Sequence, residues 1–255
     1  MKLSEKDCRG FQTWLVEQLS PYAVPILLAP DLSVNPEELA SGSGCLIQFG
    51  GAPCLLTCLH VWERLFTSNQ CGAMIVAFGD GHPVHLKNPK LIASDAETDI
   101  AVIDLAGIGR LEQKAWFQLS GISVRVPAKG DILVVLGFPS IWRNSAKNQS
   151  TFKFGPIPLV VGDFSERTIA LAEQSNSEVF EYLDSQPQQT GGHDSCGGLS
   201  GAPAFFISPK REVKLGGVVY RRAAGFLQVA RATLVLNLLM ESVIGRRYAL
   251  PAIMD

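Results

Sequence analysis

The chain has 255 residues, of which 47% are hydrophobic and 18% are charged, and its formal net charge is −2. This length allows one large all-β domain or two small ones with a substantial core. The largest basic clusters are arginine pairs, which argues against a nucleic-acid-binding protein. We recognise no secretory signal and no apolar run long enough to span a bilayer, and we expect a soluble cytoplasmic protein without membrane contact.

A helix is predicted for residues 4–19, with Ser4 as its N-cap, an apolar face and a stop before Pro21. Most of the remaining chain consists of short β-rich runs separated by turn residues, a pattern typical of barrels or sandwiches. The predicted strands are 44–49, 54–59, 74–78, 90–93, 100–105, 132–136, 158–161, 168–172, 179–183, 202–207, 213–220 and 226–229. A closing amphipathic helix is predicted for 230–245, with Gly245 as its stop signal.

Six cysteines are spread along the chain, namely Cys8, Cys45, Cys54, Cys58, Cys71 and Cys196. In a cytosolic protein they are expected to be thiols rather than disulfides. The gap between Cys54 and Cys58 suits a metal, but no second Cys/His pair follows at zinc-finger spacing. We therefore predict that most of these cysteines act as small buried hydrophobic residues, and that the protein binds neither a metal nor another cofactor.

Three segments contain the residue types that nucleophilic catalysis requires. The sequence Gly-Leu-Ser-Gly-Ala-Pro at 198–203 places Ser200 between two glycines, while His60 follows one apolar run and Asp99 precedes another. A serine hydroxyl needs a neighbouring base, and the base needs an orienting carboxylate. Backbone N–H groups must also face the developing oxyanion, and those of Gly198 and Ser200 are placed to do so.

Other residues compete for the roles of base and carboxylate. They are three histidines and two aspartates: His82, His85, His193, Asp95 and Asp104. The first two histidines lie in a polar, hairpin-like segment and are expected to be solvated. His193 is the one rival base, because it is close to Ser200 in the sequence. The aspartates are equally compatible with solvated surface acids, and Asp104 is expected to point to the face opposite Asp99.

The chain resembles trypsin-like serine peptidases of the chymotrypsin fold, from residue 41 to residue 245. The motifs that carry the resemblance are 43–47, 56–61, 99–102, 130–139, 198–203 and 215–219. The histidine motif is similar to the bacterial Deg-type form, in which Val61 follows the histidine, and no PDZ extension is recognised. The resemblance implies two six-stranded antiparallel barrels, with the catalytic residues His60, Asp99 and Ser200 in the cleft between them. It also implies an oxyanion hole formed by Gly198 and Ser200.

The predicted division of the chain follows from this fold. Residues 1–35 hold the N-terminal helix and a lead-in strand, and residues 36–110 the first barrel with His60 and Asp99. Residues 111–229 hold the second barrel with Ser200, and residues 230–255 the C-terminal helix and tail. The Gly/Pro-rich segment 107–121 is predicted to connect the barrels. The N-terminal helix lies outside the family pattern and is expected to cover a barrel end.

Two departures from the family pattern concern activation and specificity. Family members that are activated by cleavage carry an acid immediately before the serine, where this chain has Leu199. A buried ammonium would have no partner there, so no zymogen cleavage is predicted.

Asp194 is predicted to bind the substrate, as a partner for Arg or Lys, whereas the pair Arg221–Arg222 would neutralise it or favour acidic substrates. Tyr220, at the end of the strand that borders the groove, is the second predicted substrate contact.

The sequence thus predicts a serine endopeptidase that works through an acyl-enzyme intermediate. A narrow protein substrate or a regulatory protein partner is expected to restrain it. The alternative is a catalytically silent trypsin-like domain that acts as an interaction module. An esterase of another fold is disfavoured, because its usual signature is Gly-x-Ser-x-Gly with the order Ser, Asp, His.

Overall fold

The computed structural model describes residues 5–29, 41–66, 72–75, 84–86, 89–108, 111, 113–122, 125–138, 143–146, 149–152, 155–172, 198–223 and 226–242. Three α-helices lie within these ranges: α1 (Glu5–Leu19), α2 (Leu59–Phe66) and α3 (Ala232–Glu241). None of these helices has the length and apolar character that a membrane crossing needs.

The N-terminal half of the chain forms a twisted sheet of eight strands. They are β1 (Ala23–Ala29), β2 (Ser41–Phe49), β3 (Ala52–Cys58), β4 (Gly72–Ile75), β5 (Val84–His85), β6 (Lys90–Asp95), β7 (Ile100–Asp104) and β8 (Phe117–Gln118). Their order is β5-β4-β1-β2-β3-β7-β6, and β8 pairs with β2. Within the described ranges no pairing closes this sheet, whereas the resemblance implied a closed six-stranded barrel.

The C-terminal half forms a closed barrel. The remaining strands are β9 (Ile132–Gly137), β10 (Arg143–Ala146), β11 (Gln149–Phe152), β12 (Gly155–Phe164), β13 (Thr168–Ala172), β14 (Pro203–Ile207), β15 (Val213–Ala223) and β16 (Phe226–Arg231). Six of them close in the order β12-β13-β16-β15-β14-β9, and β10 and β11 form a separate hairpin. The predicted all-β class and the predicted six-stranded second barrel are confirmed.

Strand β9 shows how the barrel and the sheet share a core. Leu133 and Val135 belong to a buried cluster formed by the barrel strands and the loop around Leu199. Val134 and Leu136, which point the opposite way, belong to a second cluster that includes residues of the N-terminal sheet. The strand is therefore buried on both faces, which explains its continuous apolar sequence.

Several predicted elements differ from the structure in extent. The first helix begins at Glu5 and ends at Leu19 as expected, and β1 supplies the predicted lead-in strand. The closing helix starts two residues later than predicted, because β16 continues to Arg231, which pairs with Gly217. Ser4, Gly245 and the predicted strand 179–183 lie outside the described residues.

Candidate active site

His60 is positioned by the junction of β3 and α2. Strand β3 is buried along Cys54–Cys58, and α2 begins directly after it at Leu59. His60 therefore lies in the first turn of a helix, not at the end of a strand as predicted. Val61 is buried beside it, while the His60 side chain is 47% exposed. The imidazole can consequently contact both solvent and the neighbouring sheet residues.

Asp99 lies next to His60 and accepts two hydrogen bonds from it. Its Oδ1 accepts the backbone N–H of His60 at 2.9 Å, and its Oδ2 pairs with His60 Nδ1. The Asp99 carbonyl accepts the N–H of Leu59 at 2.9 Å. Because a carboxylate holds Nδ1 as the proton donor, Nε2 is left as the unprotonated nitrogen that can act as a base.

The backbone at Asp99 is unusual for a residue with a side chain. Its φ is 55°, in the left-handed region that aspartate tolerates better than most residues. This conformation forms the corner between the turn after β6 and the start of β7 at Ile100. The prediction that Asp99 opens an apolar strand is confirmed, and the sharp corner directs its carboxylate to the end of β3.

The rival aspartates have other partners. Asp95 accepts hydrogen bonds from the backbone N–H of Glu97 and from Thr98 Oγ1, and it pairs with Arg167. Asp104 accepts the N–H of Ala106 at 2.8 Å. His82 and His193, together with the side chain of His85, lie outside the described part of the structure. The structure thus brings His60 together with Asp99 and not with Asp95 or Asp104.

The loop that contains Ser200 is held against β2. The N–H of Ser43 donates to the Ser200 carbonyl at 2.8 Å, and Ser43 Oγ donates to the Gly198 carbonyl at 2.5 Å. The N–H of Gly201 donates to the Val219 carbonyl of β15 at 2.7 Å. These bonds join the barrel to the N-terminal sheet at the candidate nucleophile. No local pattern marks Ser43 as a support of this loop, although Ser43 begins one of the motifs that carry the family resemblance.

Gly201 is a position that only glycine fits. Its φ is +89°, and a Cβ there would overlap the Ser43 carbonyl oxygen and the Thr57 hydroxyl. Thr57 Oγ1 itself donates to the Ser43 carbonyl at 2.8 Å. The loop therefore approaches β2 and β3 more closely than any side chain at 201 would permit.

The segments that carry His60 and Ser200 both contact the Val219 carbonyl of β15. Cys58, two residues before His60, donates its thiol to the Val219 carbonyl at 3.1 Å, and Val219 also accepts the N–H of Gly201. Among the described residues, however, no hydrogen bond joins the Ser200 hydroxyl to His60. The structure pairs the candidate base with the candidate carboxylate and places the serine loop beside them without that third contact.

The loop also offers backbone donors. The N–H groups of Gly201 and Ala202 donate within the protein, the latter to the Leu199 carbonyl at 2.8 Å. In the described residues, no acceptor binds the N–H groups of Gly198 and Ser200. Gly198 has a φ of +89°, which turns the backbone at this point. Backbone donors of this kind stabilise an oxyanion when they converge on it.

Leu199, the residue before the serine, is anchored in the barrel core. It is 1% exposed and belongs to the cluster that contains Leu133 and Val135. Its Cδ2 lies so close to Gly137 that a Cβ there would be 2.7 Å away. An apolar side chain therefore fixes the loop at the position where the family pattern has an acid.

Of the two predicted substrate contacts, the structure describes Tyr220 and not Asp194. Tyr220 lies in β15 and is buried, and the guanidinium of Arg221 lies 5.2 Å from the centroid of its ring. Asp194 lies outside the described residues. The neighbouring Arg222 also belongs to β15.

Cys58, His60 and Asp99 present donor atoms that all lie within 4.8 Å of one another. A metal would need the thiolate form of Cys58 and a ring nitrogen of His60. Burial raises the pKa of the Cys58 thiol well above its usual value, and the Asp99 carboxylate raises it further. Since His60 Nδ1 is already paired with Asp99, the donor set suits proton transfer better than metal binding. Cys45, Cys54 and Cys58 are buried and not in disulfides.

Solved structures with a similar fold include two proteases. Rv3671c from M. tuberculosis H37Rv, a serine-to-alanine mutant in its inactive form, shows 18% sequence identity and a TM-score of 0.51, over 91% of this chain and 90% of its own. Deg5 shows 18% identity and a TM-score of 0.54, over 93% of this chain and 95% of its own. These likenesses establish a chymotrypsin-like fold for this chain. No protein-family model and no curated protein matches the sequence.

Proposed function

We propose that the protein is a serine endopeptidase in which Ser200 is the nucleophile, His60 the general base and Asp99 its orienting carboxylate. The observation that carries the proposal is the pair of hydrogen bonds from His60 to Asp99. The neighbouring serine loop adds two N–H groups, those of Gly198 and Ser200, for which the described residues supply no acceptor. The trypsin-like fold supports it, because this fold presents such residues between its two halves.

The chemistry follows from these contacts. Ser200 Oγ attacks the carbonyl carbon of the scissile bond while His60 Nε2 takes the hydroxyl proton. The Asp99 carboxylate stabilises the imidazolium that forms. The N–H groups of Gly198 and Ser200 bind the oxyanion, and each such donor contributes roughly 10²–10³ in rate. His60 then protonates the leaving amine. In the second half of the reaction, His60 takes a proton from the water that attacks the acyl-enzyme, and it returns a proton to Ser200 Oγ.

A second candidate function is a catalytically silent interaction module. The observation that favours it is the lack of a hydrogen bond between the Ser200 hydroxyl and His60 among the described residues. In substrate-free enzymes, catalytic hydrogen bonds are often long and tighten only when substrate binds. The peptidase proposal therefore requires that Ser200 Oγ come within hydrogen-bond reach of His60 Nε2 when substrate binds.

Two aspartates allow a matched test of the proposal. Asp99→Asn removes the carboxylate that fixes the His60 tautomer, and we expect peptide cleavage to fall about 10⁴-fold. Asp104→Asn makes the same chemical change at a carboxylate whose hydrogen bond within the described structure comes from the nearby Ala106 N–H. Its activity should stay within about twofold of wild type. Cleavage of a peptide library, followed by mass spectrometry, measures both. Equal activities of the two variants would refute the assigned role of Asp99.

We also propose that no cleavage of the chain is needed for activity. The burial of Leu199 in an apolar cluster supports this, because a new N-terminal ammonium would find no carboxylate there. Restraint would then come from a narrow protein substrate or a regulatory protein partner, in a cytoplasmic setting. A fluorogenic peptide panel separates a preference for Arg or Lys, expected from Asp194, from an acidic preference due to Arg221.

A further inference from the structure

One arginine of the barrel contacts the turn that carries Asp99. We propose that this residue, Arg167, is a positioning residue that holds the Asp99 carboxylate in place for His60. The inference rests on the proposed function, in which Asp99 orients the base. It adds a residue from the opposite half of the molecule to that machinery.

The turn before Asp99 is built around the side chain of Asp95. Asp95 Oδ1 accepts the backbone N–H of Glu97 at 3.0 Å, and Oδ2 accepts Thr98 Oγ1 at 2.8 Å. Thr98 is one of the few buried polar residues, and it directly precedes Asp99. The Asp95 carboxylate therefore fixes the backbone up to the peptide that leads into the left-handed corner at Asp99.

Arg167 binds that carboxylate from the barrel. Its Nη2 donates to Asp95 Oδ2, the oxygen that also accepts Thr98, and lies 3.4 Å from Glu97 Oε2. The side chain of Asp95 is 17% exposed and that of Arg167 is 40% exposed. Because the acid is largely shielded from water, this pair constrains geometry more strongly than an exposed surface pair would.

The backbone of Arg167 is itself anchored to the barrel. Arg167 lies in the turn between β12 and β13, where its N–H donates to Ser165 Oγ at 3.2 Å. Its carbonyl accepts the N–H of Arg231 at 2.9 Å, and Arg231 Nη1 donates to the Glu166 carbonyl at 3.1 Å. The arginine thus extends from a rigid turn, and the Asp95 carboxylate is held at a fixed place relative to the barrel.

These contacts form a continuous series from the barrel to the base. Arg167 holds Asp95, Asp95 holds Thr98, and the next residue, Asp99, holds His60. The ion pair leaves Arg167 Nε buried without a hydrogen-bond partner in the described structure, which is unfavourable for stability. The serine loop belongs to the same barrel, so Arg167 sets Asp99 relative to Ser200.

A matched pair of arginine variants tests the proposal. Arg167→Met removes the contact to Asp95. Arg125→Met removes an ion pair within the barrel half, in which Arg125 Nη2 donates to both carboxylate oxygens of Asp131, at 2.8 and 2.9 Å. The first readout is the downfield proton NMR signal of His60 Nδ1–H. The second is the rate of labelling by a serine-directed fluorophosphonate.

We expect Arg167→Met to shift or broaden the His60 signal and to slow labelling by up to about 10²-fold, as a misplacement near 1 Å does. Arg125→Met should change neither. Arg167→Lys should restore part of both, because only one nitrogen of Arg167 contacts Asp95. The proposal would be overturned if Arg167→Met and Arg125→Met gave the same His60 NMR signal and the same labelling rate.

Thr98→Val provides a second route if Arg167→Met does not fold. It removes the hydrogen bond from Thr98 to Asp95 without touching the ion pair, and the same NMR shift is expected. An unchanged His60 signal in Thr98→Val would also overturn the inference. If wild type is not labelled at all, the proposed function fails, while the NMR signal still decides whether Arg167 positions Asp99.

Discussion

A methyl group added at Gly201 should disable the candidate site by colliding with Ser43 and Thr57. The φ of +89° at this position costs an alanine roughly 1–2 kcal/mol. The new Cβ would also overlap the Ser43 carbonyl oxygen and the Thr57 hydroxyl, and would lie 3.0 Å from the Ser43 carbonyl carbon. Such overpacking adds about 1–3 kcal/mol. Relief requires the serine loop to move by about 1 Å, which lowers fluorophosphonate labelling of Ser200 about 10²-fold.

Gly130→Ala is the matched control for this prediction. Gly130 has the same φ of +89°, but a Cβ there would meet nothing within 4 Å. It should therefore show the backbone cost alone and label at the wild-type rate. Urea unfolding and labelling kinetics of both variants measure the difference. The reasoning is refuted if Gly201→Ala labels as fast as Gly130→Ala and unfolds at the same urea concentration.

Two further predictions concern buried groups. Leu199→Asp places a carboxylate in the apolar cluster and should lower the free energy of unfolding by about 3–5 kcal/mol, measured by urea melts. If Leu199→Asp lost less stability than Leu199→Ala, this result would contradict the packing described for this loop. Burial lowers the pKa of Lys114 from 10.5 to about 7. Unfolding therefore takes up a proton between pH 7 and pH 10.5. The stability of wild type relative to Lys114→Met should rise from pH 7 to pH 9, by at most about 1.4 kcal/mol per pH unit, and a constant difference in urea melts would refute this.

Local patterns in the sequence were enough to predict most of the strands. Strand β13 has the predicted bounds, because the alternation in Thr168–Ala172 reflects one buried face. Helix α2 was not predicted, because the apolar run of β3 continues without a turn residue into Leu59, His60 and Val61. Eight residues are too few for helical periodicity to be recognised against that background.

The chemistry of the site was partly accessible in the same way. The motifs around His60, Asp99 and Ser200 indicated the residues, and the structure joins the first two by hydrogen bonds. The supports of the site depend on contacts between distant segments, such as the bond from Ser43 to Gly198 across 155 positions. No local pattern encodes a contact of that kind, and the link from Arg167 to Asp95 depends on how the two halves pack.

The most direct test of the account is intact-mass labelling with a serine-directed fluorophosphonate. The account predicts one adduct on the wild-type protein, and none on Ser200→Ala or on His60→Ala, with all three proteins folded by circular dichroism. An adduct that persists in Ser200→Ala, or a folded wild-type protein that stays unlabelled, would contradict the claim that His60 activates Ser200.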